Sequence, residues 1–479
     1  MNAESITVQV KRQNLVSQIT FVLFAFALGF MNNVIAQQSE FSPHSRFGFG
    51  LINQSSTPVA TGLAGMQATM VHSYQYNPNN PASATFLTQT TLQGSGMGSN
   101  LKMSQSEADA TATYASTGPL GIVVKRKGGK NALIIGASSY STSGYSINRS
   151  AEVDGVGTVE ELYNGSGGLS NANIGWARVF RASRYIPAGN VDSIQVSFRS
   201  LHLGVQTQYL FGQVNRSSTM DIVNPTFLDH RAIVKAQHRS ISTDIGLIAD
   251  QLIRVRYNNK REFENSLALR VGGVYTPEAG LISDITRLDE TTQTLGGIPV
   301  NLDTTLYSSL TGFTGRMPAS SNAGISLHYD RGDGMRWAAG IEYSSTAWSK
   351  VADEMASDLL SDGVEWIDEK AIRFGFQFNL GKSEQRHPTW GKASYRFGLA
   401  TGNQPFKLDG DPLSYQTASA GATIPLVGSR SLSRVHFGME FGQRSLANSD
   451  YKESIYRFNI GVSLMPFFKN NWLVPRLYD

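Results

Sequence analysis

The amino-acid sequence predicts an all-β chain: a transmembrane antiparallel β-barrel of about fourteen strands with an N-terminal hatch in its lumen. Three observations predict it: repeated two-residue periodicity, long connections at alternate positions, and an export leader. In IYRFNIGVSLM, Tyr456, Phe458, Ile460, Val462 and Leu464 alternate with Arg457, Asn459, Gly461 and Ser463. Successive strand side chains point to opposite faces, so one face here is wholly apolar. IRFGFQFNLG, RVHFGMEFG and LHLGVQTQYLFG repeat the pattern. The polar face of a soluble sandwich meets water and is rich in Lys, Glu and Thr. Here that face carries glycine, glutamine and isolated charges, which suits a crowded lumen whose outer wall meets lipid.

Taken in chain order, residues 1–36 read as a signal peptide. Lys11 and Arg12 precede the apolar run ITFVLFAFALGFM, and Val34-Ile35-Ala36 offers a small-residue cleavage site. Beyond it no apolar run reaches the roughly 18 residues that a spanning helix needs. Charged residues make up 16% of the chain against roughly 25% in typical soluble domains, with 41% hydrophobic residues. The absence of cysteine excludes a disulfide, a thiolate metal site and a cysteine nucleophile. The net charge of +4 is scattered, and Lys125-Arg126-Lys127 reads as a turn near lipid head groups. No basic stripe with interleaved aromatics occurs, so no nucleic-acid partner is implied.

Residues 37–91 lack strand alternation and read as the hatch. Thr57-Pro58 is a helix start with Pro at the first helical position, and the small-residue stretch VATGLAGMQATMV is expected to continue that helix. Asn77-Pro78 and Asn80-Pro81-Ala82 break it into turns.

Residues 92–479 form the barrel. Period-two segments lie near 93–103, 107–117, 131–141, 170–180, 199–212, 238–249 and 265–276, and then near 322–330, 335–345, 370–381, 392–401, 413–424, 434–443 and 454–465. Each approximates the 9–11 residues of a tilted spanning strand. Outer-membrane barrels have short periplasmic turns and longer external loops. The longest connections here, 142–169, 213–237, 277–321 and 346–369, follow the third, fifth, seventh and ninth segments. Arg331-Gly332-Asp333-Gly334, after the eighth, is a tight turn. The stretches 181–198 and 250–264 are long for the periplasmic side and read as strand extensions. Gly165-Ser166-Gly167-Gly168 reads as a flexible external loop, and KVADEMASDLL as a short surface helix on 346–369.

The order of leader, Ser45-Arg46-Phe47-Gly48-Phe49-Gly50, the glycine-and-alanine stretch 62–70, Asn80-Pro81-Ala82 and then about fourteen strands resembles the FadL-type outer-membrane transporters of hydrophobic compounds. More narrowly, the chain is similar to their relatives in Gram-negative bacteria that also carry type IX secretion, and the terminal WLVPRLYD fits that branch. The resemblance implies that Asn80, Pro81 and Ala82 lie in the hatch, that hydrophobic ligands bind between hatch and wall, and that a kink in an early strand provides a sideways exit. Gly94, Gly96 and Gly98 permit such a kink without locating it.

Alternation sends His202, Asp244, Arg270, His328, Glu342, Arg373, Arg396, His436, Glu440 and Arg457 inward. Buried charges of both signs must pair with one another or hold the hatch, and an arginine among them is also suited to a ligand carboxylate. The eight histidines form no HExxH or other metal spacing and no G-x-S-x-G elbow occurs, so no catalytic residue, metal or cofactor is implied. Two functions from different classes follow: passive entry of hydrophobic small molecules with lateral release into outer-membrane lipid, or a non-enzymatic scaffold holding a secretion or assembly partner. An open general porin is disfavoured by residues 37–91.

Overall fold

The computed structural model describes residues 42–465 except 53–56, 106–107, 189–191, 225, 259, 261, 296–297, 352–363, 382–391, 409 and 427–431. The expected leader, the terminal WLVPRLYD and most of the helix expected in KVADEMASDLL lie outside these residues.

The strands, in order, are β1 (Leu51–Ile52), β2 (Thr91–Gln105), β3 (Ala108–Thr117), β4 (Leu120–Val124), β5 (Asn131–Val153), β6 (Gly157–Ala188), β7 (Asp192–Ile222), β8 (Asp229–Tyr257) and β9 (Phe263–Thr276). They continue with β10 (Ala279–Leu295), β11 (Ile298–Met317), β12 (Ser320–Arg331), β13 (Met335–Thr346), β14 (Glu365–Trp366), β15 (Glu369–Leu380), β16 (Ser394–Leu408), β17 (Asp411–Pro425), β18 (Arg434–Ser445) and β19 (Lys452–Leu464). All ladders are antiparallel, and β19 pairs with β2 from Lys452↔Ser104 to Leu464↔Leu92, which closes the sheet. Counting β3 with β4 as one broken strand, the wall is a closed barrel of 14 strands. Closure removes the sheet edges that hydrocarbon cannot solvate.

Alternation sorts the faces. Trp176, Val205, Ile245, Val271, Ile325, Ile341, Phe374, Leu399, Met439 and Phe458 point out and are exposed, forming the apolar belt of an outer-membrane barrel. Aromatic rings stack across neighbouring strands on this surface, as in Tyr329 with Trp337 at 5.6 Å and Phe378 with Tyr395 at 5.3 Å.

Two stretches expected as loops are continued strands. β5 and β6 stay paired to Val153↔Gly157, and β7 and β8 to Met220↔His230. Once outside lipid the ladder still satisfies backbone groups, so nothing stops it until a turn residue does. Gly165 to Gly168 therefore lies within β6 opposite Tyr145 to Thr142, beside the register shift between Ser139 and Ser141. The 277–321 connection is the β10–β11 hairpin, laid along β8 from Leu281↔Ser240 to Thr292↔Asp229.

Candidate functional site

The N-terminal residues pack against the inner wall, and glycine is the reason they can. A Cβ on Gly204 would lie 2.4 Å from the Ala82 nitrogen, on Gly246 2.4 Å from Asn80 Oδ1, on Gly272 2.5 Å from the Ala68 carbonyl oxygen, on Gly398 2.4 Å from the Ala64 nitrogen, and on Gly438 2.5 Å from the Pro58 carbonyl oxygen. Gly204 faces Gly246 across one ladder and Gly421 faces Gly438 across another. The bare positions of the polar face are the bed on which the N-terminal backbone lies.

This bed explains why the expected long helix is not formed. The α-helix α1 covers only Pro58–Thr61, capped by Thr57 Oγ1, which accepts from the Ala60 nitrogen at 3.3 Å. Ala64 then takes φ 51° and Gly65 φ 83°, which end the turn. Wall side chains accept what a helix would have satisfied internally: the Ala64 N–H donates to Ser419 Oγ at 2.8 Å, and the Gln67 and Ala68 N–H groups both donate to Glu342 Oε2, at 2.8 and 2.7 Å. Asn80 caps the short 3-10 helix Pro81–Phe86, accepting from the Ala82 nitrogen at 3.1 Å and donating to the Ala68 carbonyl at 3.1 Å. Pro81 and Ala82 lie buried against Gly204.

Five of the inward residues picked out by alternation touch this segment. Glu342 does so as above. The His202 ring stacks on Phe86 at 4.0 Å, and its Nδ1 lies 2.5 Å from Thr85 Oγ1. Arg270 donates to the Thr69 carbonyl at 3.1 Å while paired with Asp250. Arg396 donates to Tyr74 Oη, as well as to Gln377 and Thr423, and His436 stacks on the Tyr74 ring at 5.7 Å. The others bond within the wall. His328 meets Ser326 at 2.8 Å, Arg373 donates to Ser344 at 2.7 Å, Arg457 pairs with Glu440 at 3.1 Å, and Asp244 accepts from Thr276 at 2.6 Å and Gln206 at 3.1 Å.

Other anchors carry no sequence signal of this kind. Buried Glu453 accepts from Ser42 at 2.6 Å, Tyr451 at 2.7 Å and Arg444 at 3.2 Å. It sits near a strand end, where a carboxylate reads as surface. Lys125 corrects the lipid-head-group reading: its side chain is buried and donates to the Leu87 carbonyl at 2.6 Å and to that of Thr85. Lys125, the residue directly after β4, faces inward, and only Arg126 onward forms the turn.

Among the described residues the wall strands are interrupted at one place. Among the described residues β3 is laddered to β2 alone, from Gln105↔Ala108 to Gly96↔Thr117. Gly118 and Pro119 then break the strand, and β4 resumes between β2 and β5. Proline has no N–H to give a ladder. Where β3 leaves β5, β1 takes its place, pairing Leu51↔Thr142 and Ile52↔Ser141. A lumenal cavity of 120 Å³ reaches this break, touching Ser116, Gly118, Pro119 and Ser139 at one end and Arg373, Glu440 and Arg457 at the other. The expected kink is thus in the second wall strand, whereas Gly94, Gly96 and Gly98 lie in the unbroken β2 ladder. The Gly-Pro pair in YASTGPLGIVV is the signal that locates it.

A closed antiparallel barrel of 14 strands, apolar outside, is the fold of FadL-like outer-membrane proteins. Within that class, the profile of the family described as BamG matches residues 16–479, so the chain belongs to the BamG family. The structure is similar to a monoaromatic hydrocarbon channel, CymD, with TM-score 0.50 and 15% identity over 87% of this chain and 99% of that one. It is similar also to the toluene transporter TodX of P. putida, with TM-score 0.50 and 13% identity over 86% and 98%. At these identities the likeness is one of fold. No curated protein sequence matches the chain.

Proposed function

We propose that this barrel admits hydrophobic small molecules across the outer membrane without chemistry, residues 37–91 acting as a fixed plug and the β3–β5 break as the exit to lipid. The observation that carries this reading is the break itself: the lumenal cavity reaches Gly118 and Pro119, where the wall has no barrel strand on the β5 side. A molecule that leaves there enters the bilayer once the two residues of β1 that cover the gap move aside, without displacing the rest of the plug. CymD and TodX, described as a hydrocarbon channel and a toluene transporter, share the fold and support the substrate class. The test uses the cysteine-free chain. Cysteines replacing Ser116 and Ser139 are bridged by a reducible bifunctional thiol reagent, and uptake of toluene and of a long-chain fatty acid is followed in cells lacking the native gene. Uptake that falls on bridging and returns on reduction is expected; uptake indifferent to the bridge overturns the exit.

A second reading, an accessory scaffold for secretion or assembly, is favoured by the β10–β11 ribbon. Val300, Leu302, Leu306, Tyr307 and Leu310 of β11 are all exposed, and among the described residues β11 is laddered to β10 alone. Since β10 is itself paired along β8, β11 is an edge strand of that sheet, and apolar exposure of this extent on an edge suits a partner. Under this reading, deleting 298–312 releases a co-purifying outer-membrane protein while uptake is unchanged.

A further inference from the structure

Several exposed arginines of the barrel are held by a carboxylate. At the end where the ladders run long, Arg149 meets Glu161 at 3.9 Å, Arg239 meets Asp284 at 3.3 Å and Arg316 meets Glu278 at 3.7 Å. At the opposite end, whose short turns mark the periplasmic side, the β12–β13 turn pairs Arg331 with Asp333 and Arg336 with Asp330. One stretch of that periplasmic rim differs. Arg178 and Arg184 of β6, Arg199 of β7, and Arg254 and Arg256 of β8 are exposed, and among the described residues none of them makes an ion pair. Arg126, Lys127 and Lys130 of the β4–β5 turn, which joins β6 through the Val179 N–H and the Lys130 carbonyl at 2.9 Å, are exposed and unpaired in the same way. We infer that this row of cations is a binding site for the phosphate of a net-anionic glycerophospholipid of the periplasmic leaflet, whose acyl chains lie on the apolar wall beside it.

Two of the guanidiniums are gathered on one ring. Arg184 lies over Phe198 at 5.1 Å and Arg199 over the same ring at 5.3 Å. Like charges brought together without a carboxylate repel, and an anionic headgroup beside the ring offsets that repulsion. Arg199 Nε donates to Gln251 Oε1, and Gln251 Nε2 is itself fixed on the Phe198 carbonyl at 3.3 Å and the Leu252 carbonyl at 2.9 Å. The guanidinium is thus oriented before a ligand arrives, with its Nη groups left to donate to phosphate oxygens.

The row borders the apolar belt. Along β6, Trp176 and Phe180 flank Arg178, which lies over the Phe180 ring at 5.3 Å, and along β7, Leu201, Leu203 and Val205 follow Arg199. These apolar side chains are exposed, and the register sets Trp176 beside Val205 and Phe180 beside Leu201. The cations therefore stand at the level where headgroups replace acyl chains. A soluble anion or an acidic protein segment would use the charges and leave the apolar residues unused, whereas a phospholipid uses both. A zwitterionic lipid would bring an ammonium group for which the row holds no carboxylate: Asp250, next to Gln251, is taken by Arg270. The site lies outside the lumen and does not depend on what crosses it.

The test is native mass spectrometry of the purified full chain in detergent, titrated with dioleoyl phosphatidylglycerol and, separately, with dioleoyl phosphatidylethanolamine. Wild type is compared with the double variant Arg184→Gln, Arg199→Gln, and with Arg331→Gln, Arg336→Gln, which removes the same charge from the paired turn; folding of each is checked by its heat-dependent gel mobility. The expected result is a saturable phosphatidylglycerol adduct, tenfold or more tighter than that of phosphatidylethanolamine, weakened tenfold or more in the first variant and unchanged in the second. Equal binding of the two lipids, full binding in the first variant, or the same loss in both variants overturns the inference. Displacement of the lipid by an equal concentration of glycerol phosphate would make the row a site for a free anion, and displacement by polyglutamate would make it a site for an acidic protein segment; either result also overturns it.

Discussion

From β7 to β19 the inner wall is bared by glycine and the N-terminal backbone lies directly upon it; between β3 and β5 the wall has no ladder of its own, and the same segment covers the gap with two residues of β1. The first contact is close-packed over many strands, whereas the second rests on a short pairing and a few hydroxyl groups. Where backbone meets backbone without side chains between, movement requires displacing everything at once; where a two-residue strand substitutes for a wall strand, movement requires losing little. The difference assigns permanence to one side and opening to the other.

The largest effect should come from filling the glycine bed. Gly398→Val places a side chain where even a Cβ would be 2.4 Å from the Ala64 nitrogen, between backbone atoms that cannot swing aside. We expect a loss of roughly 3 kcal/mol, at the upper end for overpacking, with the segment newly cut by chymotrypsin at Tyr74, Tyr76 or Phe86. Gly98→Val is the control on the other side: nothing lies within 4 Å of its Cβ position, and an effect within about 0.5 kcal/mol is expected. Equal cleavage of both variants would erase the distinction between the two sides.

Much of this architecture was legible because a barrel repeats one rule. Each wall strand had to present an apolar face to lipid, so Phe374, Phe437 and Phe458 announced their strands one by one, and even the weak LQGSGMGSN and ADATATYASTG stretches took their places as β2 and β3. The inward direction of Glu342, Arg396 and His436 followed from the same alternation. Their partners did not, because contacts such as Glu342 with the amides of Gln67 and Ala68 join residues hundreds of positions apart. The helix expected after Pro58 failed for a related reason: local propensity favoured it, but wall acceptors offered the backbone another set of bonds. The extensions over 142–169 and 213–237 were read as loops since, outside lipid, no apolar belt marks them, whereas 181–198 and 250–264, read as extensions, are largely strand in β6, β7, β8 and β9. Gly118-Pro119 was readable as a break, but the glycines of β2 drew attention to the wrong strand.

Glu342 sharpens the comparison at the scale of one side chain. Its carboxylate is the acceptor for two buried N–H groups of the segment and also accepts from Asn322 at 2.7 Å. Glu342→Ala should cost roughly 2 kcal/mol through the unmet amides, and Glu342→Gln, which keeps an acceptor oxygen, should recover part of it. Hydrogen exchange at Gln67 and Ala68 reports this directly. If their exchange is no faster in Glu342→Ala, the glycine bed alone holds the segment and the carboxylate is incidental.

The smallest effect belongs to the gap, and it tests whether the cover there is as slight as the contacts imply. Ser141 Oγ donates to the Phe49 carbonyl at 2.7 Å and accepts from the Leu169 N–H at 3.2 Å, while Ser45 Oγ exchanges bonds with the N–H and carbonyl of Gly144, both at 3.0 Å. Gly50 fits only as glycine: at φ +93° its Cβ would be 2.4 Å from the Thr142 carbonyl oxygen. Ser141→Ala removes one hydroxyl and none of this backbone fit, for an expected cost of about 1 kcal/mol. That is small for the barrel, but β1 spans only two paired residues, so the change should appear as faster exchange at Leu51 and Ile52 with the Gln67 and Ala68 amides untouched. Faster exchange at both places would mean that the segment moves as one body and that the gap cannot open while the plug stays. Confinement to β1 would make the gap an independently opening element, which the exit requires.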